Sequence, residues 1–162
     1  MCLSWGTKML KNDTIKDYNI CLKKGVKILI VSAPFYEDIT ENLKNGAKEV
    51  LAKLKIKYDE IEVPGALEIP TAITLTRRNF SGFIALGCVI RGETSHYESV
   101  CNNSSSSISR LGLEGLCIGN GILNVENREQ ATARADPSGK NAGGNAALAA
   151  LTLIQIKQNS KD

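Results

Sequence analysis

Apolar positions fall along this chain in strand-length runs that alternate with helix-spaced series. After Lys27, the unbroken run Ile28-Leu29-Ile30-Val31 has strand length and the pattern of a strand covered on both faces, as in a parallel sheet. Ile39, Leu43, Ala47, Val50 and Leu54 then recur at helical spacing, with Asp38 or Thr40 as the expected cap. A strand is predicted near 56–63 and is stopped by Pro64-Gly65, after which Ala66, Ile69, Ala72, Ile73 and Leu75 predict a helix up to about Asn79. Phe83 to Ile90 is the strongest buried-strand pattern present. Val100, Ile108 and Leu111 keep an apolar helical face around the run Ser104–Ser107, whose small side chains let another helix approach closely. Leu116 to Leu123 predicts a fourth strand, and two helices close the chain, around 127–134 and from about 142 to 157. Strict alternation of strand and helix predicts an α/β fold: a three-layer α/β/α sandwich with a four-stranded parallel sheet and right-handed crossovers.

With 162 residues, 43% of them hydrophobic, the chain can bury one core but not two. One domain is expected over residues 26–158, preceded by a polar, aperiodic arm over 1–25. The net charge of +3 balances 20 basic against 17 acidic residues, and no long basic run marks a nucleic-acid surface. Cys2, Cys21, Cys88, Cys101 and Cys117 are odd in number and form no C-x-x-C pair, which points to reduced thiols in the cytoplasm. No apolar stretch reaches the roughly 18 residues of a membrane span, and the N-terminal segment has no signal-peptide core. The sequons at Asn79 and Asn102 then read as chance matches.

Ligands of open parallel sheets sit beyond the carboxyl ends of the strands, so the residues that follow each strand are the ones to inspect. These are Ser32 to Tyr36, Val63 to Glu68, Arg91 to His96, and Asn120-Gly121. Gly92-Glu93-Thr94 is expected to open a helix whose free N–H groups and positive dipole end favour an anion such as phosphate. Gly87 and Gly92 have P-loop spacing, but Glu93 stands where the phosphate-binding lysine belongs, which argues against a nucleoside triphosphatase. His96, the only histidine, can hold or release a proton near neutral pH as general acid or base. Phe35 offers either a flat face for a heterocycle or a core plug. Glu68 suits a helix start and can accept hydrogen bonds from hydroxyls; Arg134 could make a forked pair with a phosphate. Gly139 to Gly144 reads as a flexible loop.

Taken together, Val63-Pro64-Gly65-Ala66-Leu67-Glu68-Ile69-Pro70, Leu86-Gly87-Cys88-Val89-Ile90-Arg91-Gly92-Glu93-Thr94-Ser95-His96 and Glu126-Asn127-Arg128-Glu129-Gln130-Ala131 closely resemble the lumazine synthase family, in order and over about 26–157. The resemblance implies a flavodoxin-like fold and the condensation of 5-amino-6-(D-ribitylamino)uracil with 3,4-dihydroxy-2-butanone 4-phosphate, with no metal or redox cofactor. It assigns Phe35 to stacking on the pyrimidine, Ala66-Leu67-Glu68 to the ring and ribityl chain, and Cys88-Val89-Ile90 to the pocket floor. Glu93 by its backbone, Thr94 by backbone and hydroxyl, and Arg134 by its charge would hold the phosphate, and His96 would carry protons. It further implies a homopentamer or an assembly of pentamers, with Asn120 reaching a neighbour's site from the loop after the fourth strand, and riboflavin synthase as a candidate partner.

Three positions depart from the family pattern. Pro34 stands where arginine is common; the serine run after Asn103 replaces a glutamate followed by small residues; Ala142 stands where many relatives have a lysine, leaving Lys140 as the candidate substitute. Pentamer, decamer and sixty-subunit shell stay open. Two other readings compete with the synthase: a flavodoxin-like module that binds a flavin or lumazine without turnover, and a purely structural shell protein. A histidine beside a phosphate loop favours turnover, because simple binding needs no proton carrier.

Overall fold

The apolar run after Lys27 becomes the strand β1 (Lys27–Ser32) because the chain covers both of its faces. The computed structural model describes residues 19–160. In it β1, β2 (Lys57–Glu62), β3 (Gly82–Ile90) and β4 (Ile118–Val125) form one parallel sheet in the order β2-β1-β3-β4. On one face Ile28, Ile30, Ile84 and Leu86 pack against α1 (Glu37–Lys53), α4 (Arg128–Ala135) and α5 (Ala142–Asn159). On the other, Leu29, Val31, Phe83 and Ala85 pack against α2 (Ile69–Thr76) and α3 (His96–Leu113). This is the three-layer α/β/α sandwich that the alternation predicts. The edge strand β2 is half exposed and blunted by charge, with Lys27–Asp59 at 2.6 Å, Lys48–Glu60 at 2.9 Å and Lys44–Glu62 at 3.2 Å.

Several boundaries differ from the expected ones. Asp38 and Thr40 lie inside α1 and do not cap it; the cap position is Tyr36, with no side-chain capping bond. Thr40 instead donates to the Ala33 carbonyl at 3.2 Å, and the Asp38 carboxylate accepts from Arg128 Nη2 at 2.7 Å. Glu37 and Asp38 still complement the helix dipole from the first turn. The single helix expected over 66–79 divides into a 3₁₀ turn (Ala66–Glu68) and α2, because Pro70 fits only the first turn of an α-helix.

The supposed flexible loop at 139–144 is largely the ordered start of α5. Asn141, in the left-handed region at φ 46°, caps the helix by accepting from Gly144 N–H at 3.0 Å, and Gly143 and Gly144 are buried in the first turn. The fourth strand lies two residues later than expected. Asn120-Gly121 is expected to follow the strand but sits inside β4, and Gly119 lies where α5 crosses it: a Cβ at Gly119 would fall 1.8 Å from the Ala146 carbonyl oxygen.

Residues 1–18 of the expected arm lie outside the described residues. Residues 19–25 run along α5, with Cys21 N–H donating to Gln155 Oε1 at 3.2 Å and Lys23 N–H to Gln158 Oε1 at 3.0 Å, while Ile20 and Leu22 pack on the core. No described helix is long and apolar enough to cross a membrane.

Candidate active site

The chain passes from β1 outward to β2 and then returns to lay β3 on the other side of β1, so the strand order reverses between β1 and β3. Such a reversal opens a crevice at the carboxyl ends of the strands. Here the crevice deepens because β3 outruns β1. The last pairing of β1 is Ser32 with Leu86, whereas β3 continues against β4 to the pair Ile90 and Val125. Cys88, Val89 and Ile90 thus extend past β1 and form one wall of a cleft of about 440 Å³, within the usual range for small-molecule sites. The loop after β1 adds Ala33, Phe35 and Tyr36; the turn after β2 adds Pro64 to Glu68; Gly92, Thr94, His96, Tyr97 and Val100 close the third side.

Phe35 is 74% exposed and meets Tyr36 edge to face at 5.1 Å, so it forms a platform at the cleft and not a core plug. Gly65 leaves room for Glu68: a Cβ there would sit 3.0 Å from the carboxylate. The Cys88 thiol is pushed up to about 11 by burial, so it stays protonated near neutral pH and serves as a neutral wall. Iodoacetamide at pH 8 is therefore expected to leave Cys88 unmodified in the native protein, as read by peptide mass spectrometry; rapid alkylation there would show an activated thiol.

His96 stands at the first position of α3, its backbone N–H 3.4 Å from Thr94 Oγ1. The expected helix start at Gly92-Glu93-Thr94 is thus corrected. Residues 91–95 form an exposed loop, and the Ser95 cap position makes no side-chain capping bond. Among residues lining the cleft, Glu68 is the one carboxylate and none is Lys or Arg. The nearby guanidinium of Arg128 pairs with Asp38 at 2.7 Å and lies 6.0 Å from the ring of Tyr36.

Phe35, Ala66, Leu67, Glu68, Cys88, Val89, Ile90, Thr94 and His96 all line this cleft. Asn120, Glu93, Arg134 and Lys140 do not. Asn120 is exposed within β4, opposite Ala85, and accepts from Ile122 N–H at 3.0 Å, so it does not belong to a loop after the strand. Arg134 is exposed on α4, and Lys140 is exposed just before α5. Sequence reasoning missed Tyr97 as a cleft residue and gave Val100 only a packing role. Val100 lies four residues after His96 on one helix, a spacing that places both on one face once the helix start is known.

The family model for 6,7-dimethyl-8-ribityllumazine synthase matches residues 25–158, which takes in every cleft residue. The chain belongs to the lumazine synthase family. A lumazine synthase family protein of Jannaschia sp. (strain CCS1), named 6,7-dimethyl-8-ribityllumazine synthase, is 52% identical over 138 residues, covering 84% of this chain and 78% of its own. Relatives of the same name from Bartonella tribocorum and Zymomonas mobilis are 50% and 49% identical, covering 87% and 82% of this chain and 96% of theirs. The lumazine synthase match begins just before β1 and ends near the last turn of α5, so it spans the whole sheet.

Proposed function

We propose that the cleft condenses 5-amino-6-(D-ribitylamino)uracil with 3,4-dihydroxy-2-butanone 4-phosphate, giving 6,7-dimethyl-8-ribityllumazine, phosphate and water in the penultimate step of riboflavin biosynthesis. The observation that carries this reading is the family match over residues 25–158. The reaction is a transfer of a four-carbon unit to an amine, so the substrates supply nucleophile and electrophile, and the protein orients them and moves protons. Phe35 stacks on the pyrimidine, and Ala66-Leu67-Glu68 takes the ring edge and ribityl hydroxyls. Thr94 and the backbone at Glu93 hold the phosphate, and His96 carries protons on and off oxygen and nitrogen.

The cleft of one chain lacks a cation for a dianionic phosphate, since no Lys or Arg lines it. Arg134 and Asn120 lie outside it, which supports their delivery from a neighbouring copy in a pentamer, with Lys140 a further group on the loop before α5. In this reading the folded unit is residues 26–158 and works in the cytoplasm, with riboflavin synthase as the partner that consumes the product.

Absorbance detection of lumazine formation from the two substrates, paired with the native mass, tests the reading. Turnover by an assembly of pentamers is expected. Binding without turnover would favour the non-enzymatic module, and a fully active monomer would exclude shared sites.

Arg134→Ala is expected to weaken the phosphorylated substrate by about ten- to a hundredfold, the worth of a charge-assisted contact. Pyrimidine affinity should change little. Equal losses for both substrates, measured by titration of each alone, would remove Arg134 from the phosphate.

A further inference from the structure

We propose that Arg91 is a positioning residue for His96, acting as a clamp that fixes the exposed loop 91–95 and the first turn of α3. The loop needs such a clamp because packing does not hold it. Residues 91–96 are all exposed, a Cβ built at Gly92 would meet nothing within 4 Å, and the Ser95 cap position contributes no side-chain bond. The Thr94 hydroxyl at 3.4 Å from His96 N–H is a long contact at the limit of a hydrogen bond.

Arg91 supplies what packing does not, from three directions. Its backbone N–H donates to the Val125 carbonyl at 2.9 Å, which ties the loop's start to the end of β4. Its Nε donates to Glu126 Oε2 at 2.6 Å, and its Nη1 donates to Glu98 Oε1 in the first turn of α3. Its guanidinium carbon lies 4.3 Å from the centroid of the Tyr97 ring, and Tyr97 is a cleft residue adjacent to His96. Glu126 is itself fixed, since its N–H donates to Gln130 Oε1 at 3.0 Å while Asn127 Oδ1 accepts from Gln130 N–H at 2.9 Å at the cap of α4. One planar, forked cation thus joins Glu126, beside the cap of α4, to the start of α3, while the backbone bond to Val125, which any non-proline residue at 91 keeps, ties the loop to β4. A lysine could not reproduce two directed bonds and a stacked ring together.

Exposed ion pairs contribute little to stability. Arg91 therefore holds local geometry more than it holds the fold, and its loss should appear in catalysis, because small misplacements of a reacting group cost rate steeply.

The kinetic test rests on the activity proposed above; a second test does not. Arg91→Ala is expected to lower kcat by about 10- to 100-fold with pyrimidine KM nearly unchanged, and to move the thermal midpoint by no more than about 3 °C. Arg91→Lys should recover only part of the rate. In a His96→Ala background the same substitution should cost less than about threefold, because a residue acting through His96 has nothing left to position. Equal losses in both backgrounds would overturn the proposal.

Independently of turnover, the single histidine gives one set of imidazole signals in labelled protein. Arg91→Ala should broaden or multiply them. Arg77→Ala, which breaks the ion pair with Glu114 at the far end of α3, should not. Imidazole signals that stay single and sharp in Arg91→Ala would overturn the proposal even if the wild type turns over nothing. An inactive wild type whose signals broaden on this substitution would instead support the clamp and count against the assigned reaction.

Discussion

His96→Ala is expected to lower turnover by about 100-fold while leaving substrate affinity within a few-fold of wild type. General acid–base catalysis contributes about 100- to 10,000-fold. The lower end applies here for two reasons. Orientation of two bound substrates supplies much of the acceleration, and the histidine sits in an exposed part of the cleft where water can relay protons. Besides His96, the ionisable groups that line the cleft are Glu68, Cys88, Tyr36 and Tyr97. Cys88 cannot take over as a base near neutral pH, because burial holds its thiol protonated there. Steady-state turnover of wild type and His96→Ala decides the matter: an unchanged rate would reduce the cleft to a site that only positions its substrates.

Gly143→Ala is expected to cost about 3 kcal/mol, which lowers the thermal midpoint by roughly 6–12 °C for a chain of this size. Helix propensity alone predicts the opposite sign, since alanine is better than glycine in a helix by about 1 kcal/mol. Packing wins at this position. A Cβ on Gly143 would lie 1.9 Å from the Leu43 carbonyl oxygen and 2.9 Å from the Leu43 Cα, all backbone atoms that cannot swing aside. On the facing helix a Cβ at Gly46 would lie 2.1 Å from Asn141 Oδ1, the atom that caps α5, so α1 and α5 are interlocked at their glycines. Gly112 in α3 provides the control: nothing lies within 4 Å of its built Cβ, and Gly112→Ala should stabilise by up to about 1 kcal/mol. Thermal unfolding of both variants at one protein concentration tests the pair, since oligomer stability depends on concentration. A Gly143→Ala protein as stable as wild type would mean that α1 and α5 do not approach so closely.

The sequence by itself determined the type and order of nearly every element, because the signals are local. A short apolar run rich in β-branched residues reads as a buried strand by its length and flanks, and Ile39, Leu43, Ala47 and Val50 mark one helical face by spacing alone. It also determined most cleft residues, since Phe35, Ala66 to Glu68, Cys88 to Ile90, Thr94 and His96 follow or end strands, and in a parallel sheet all strand ends meet on one side. The tertiary structure alone decided the rest. Gly119 and Gly121 fall in a run that reads as a strand and Gly143 in one that reads as loop or helix start, and only the approach of α5 to β4 and α1 shows all three as contact points. The strand order β2-β1-β3-β4 left Asn120 within an outer strand and Arg134 and Lys140 away from the cleft of their own chain. The partnership of Arg91 with Glu126 spans 35 residues of sequence, a distance at which no periodicity carries information and only the pairing of β3 with β4 brings the two charges together.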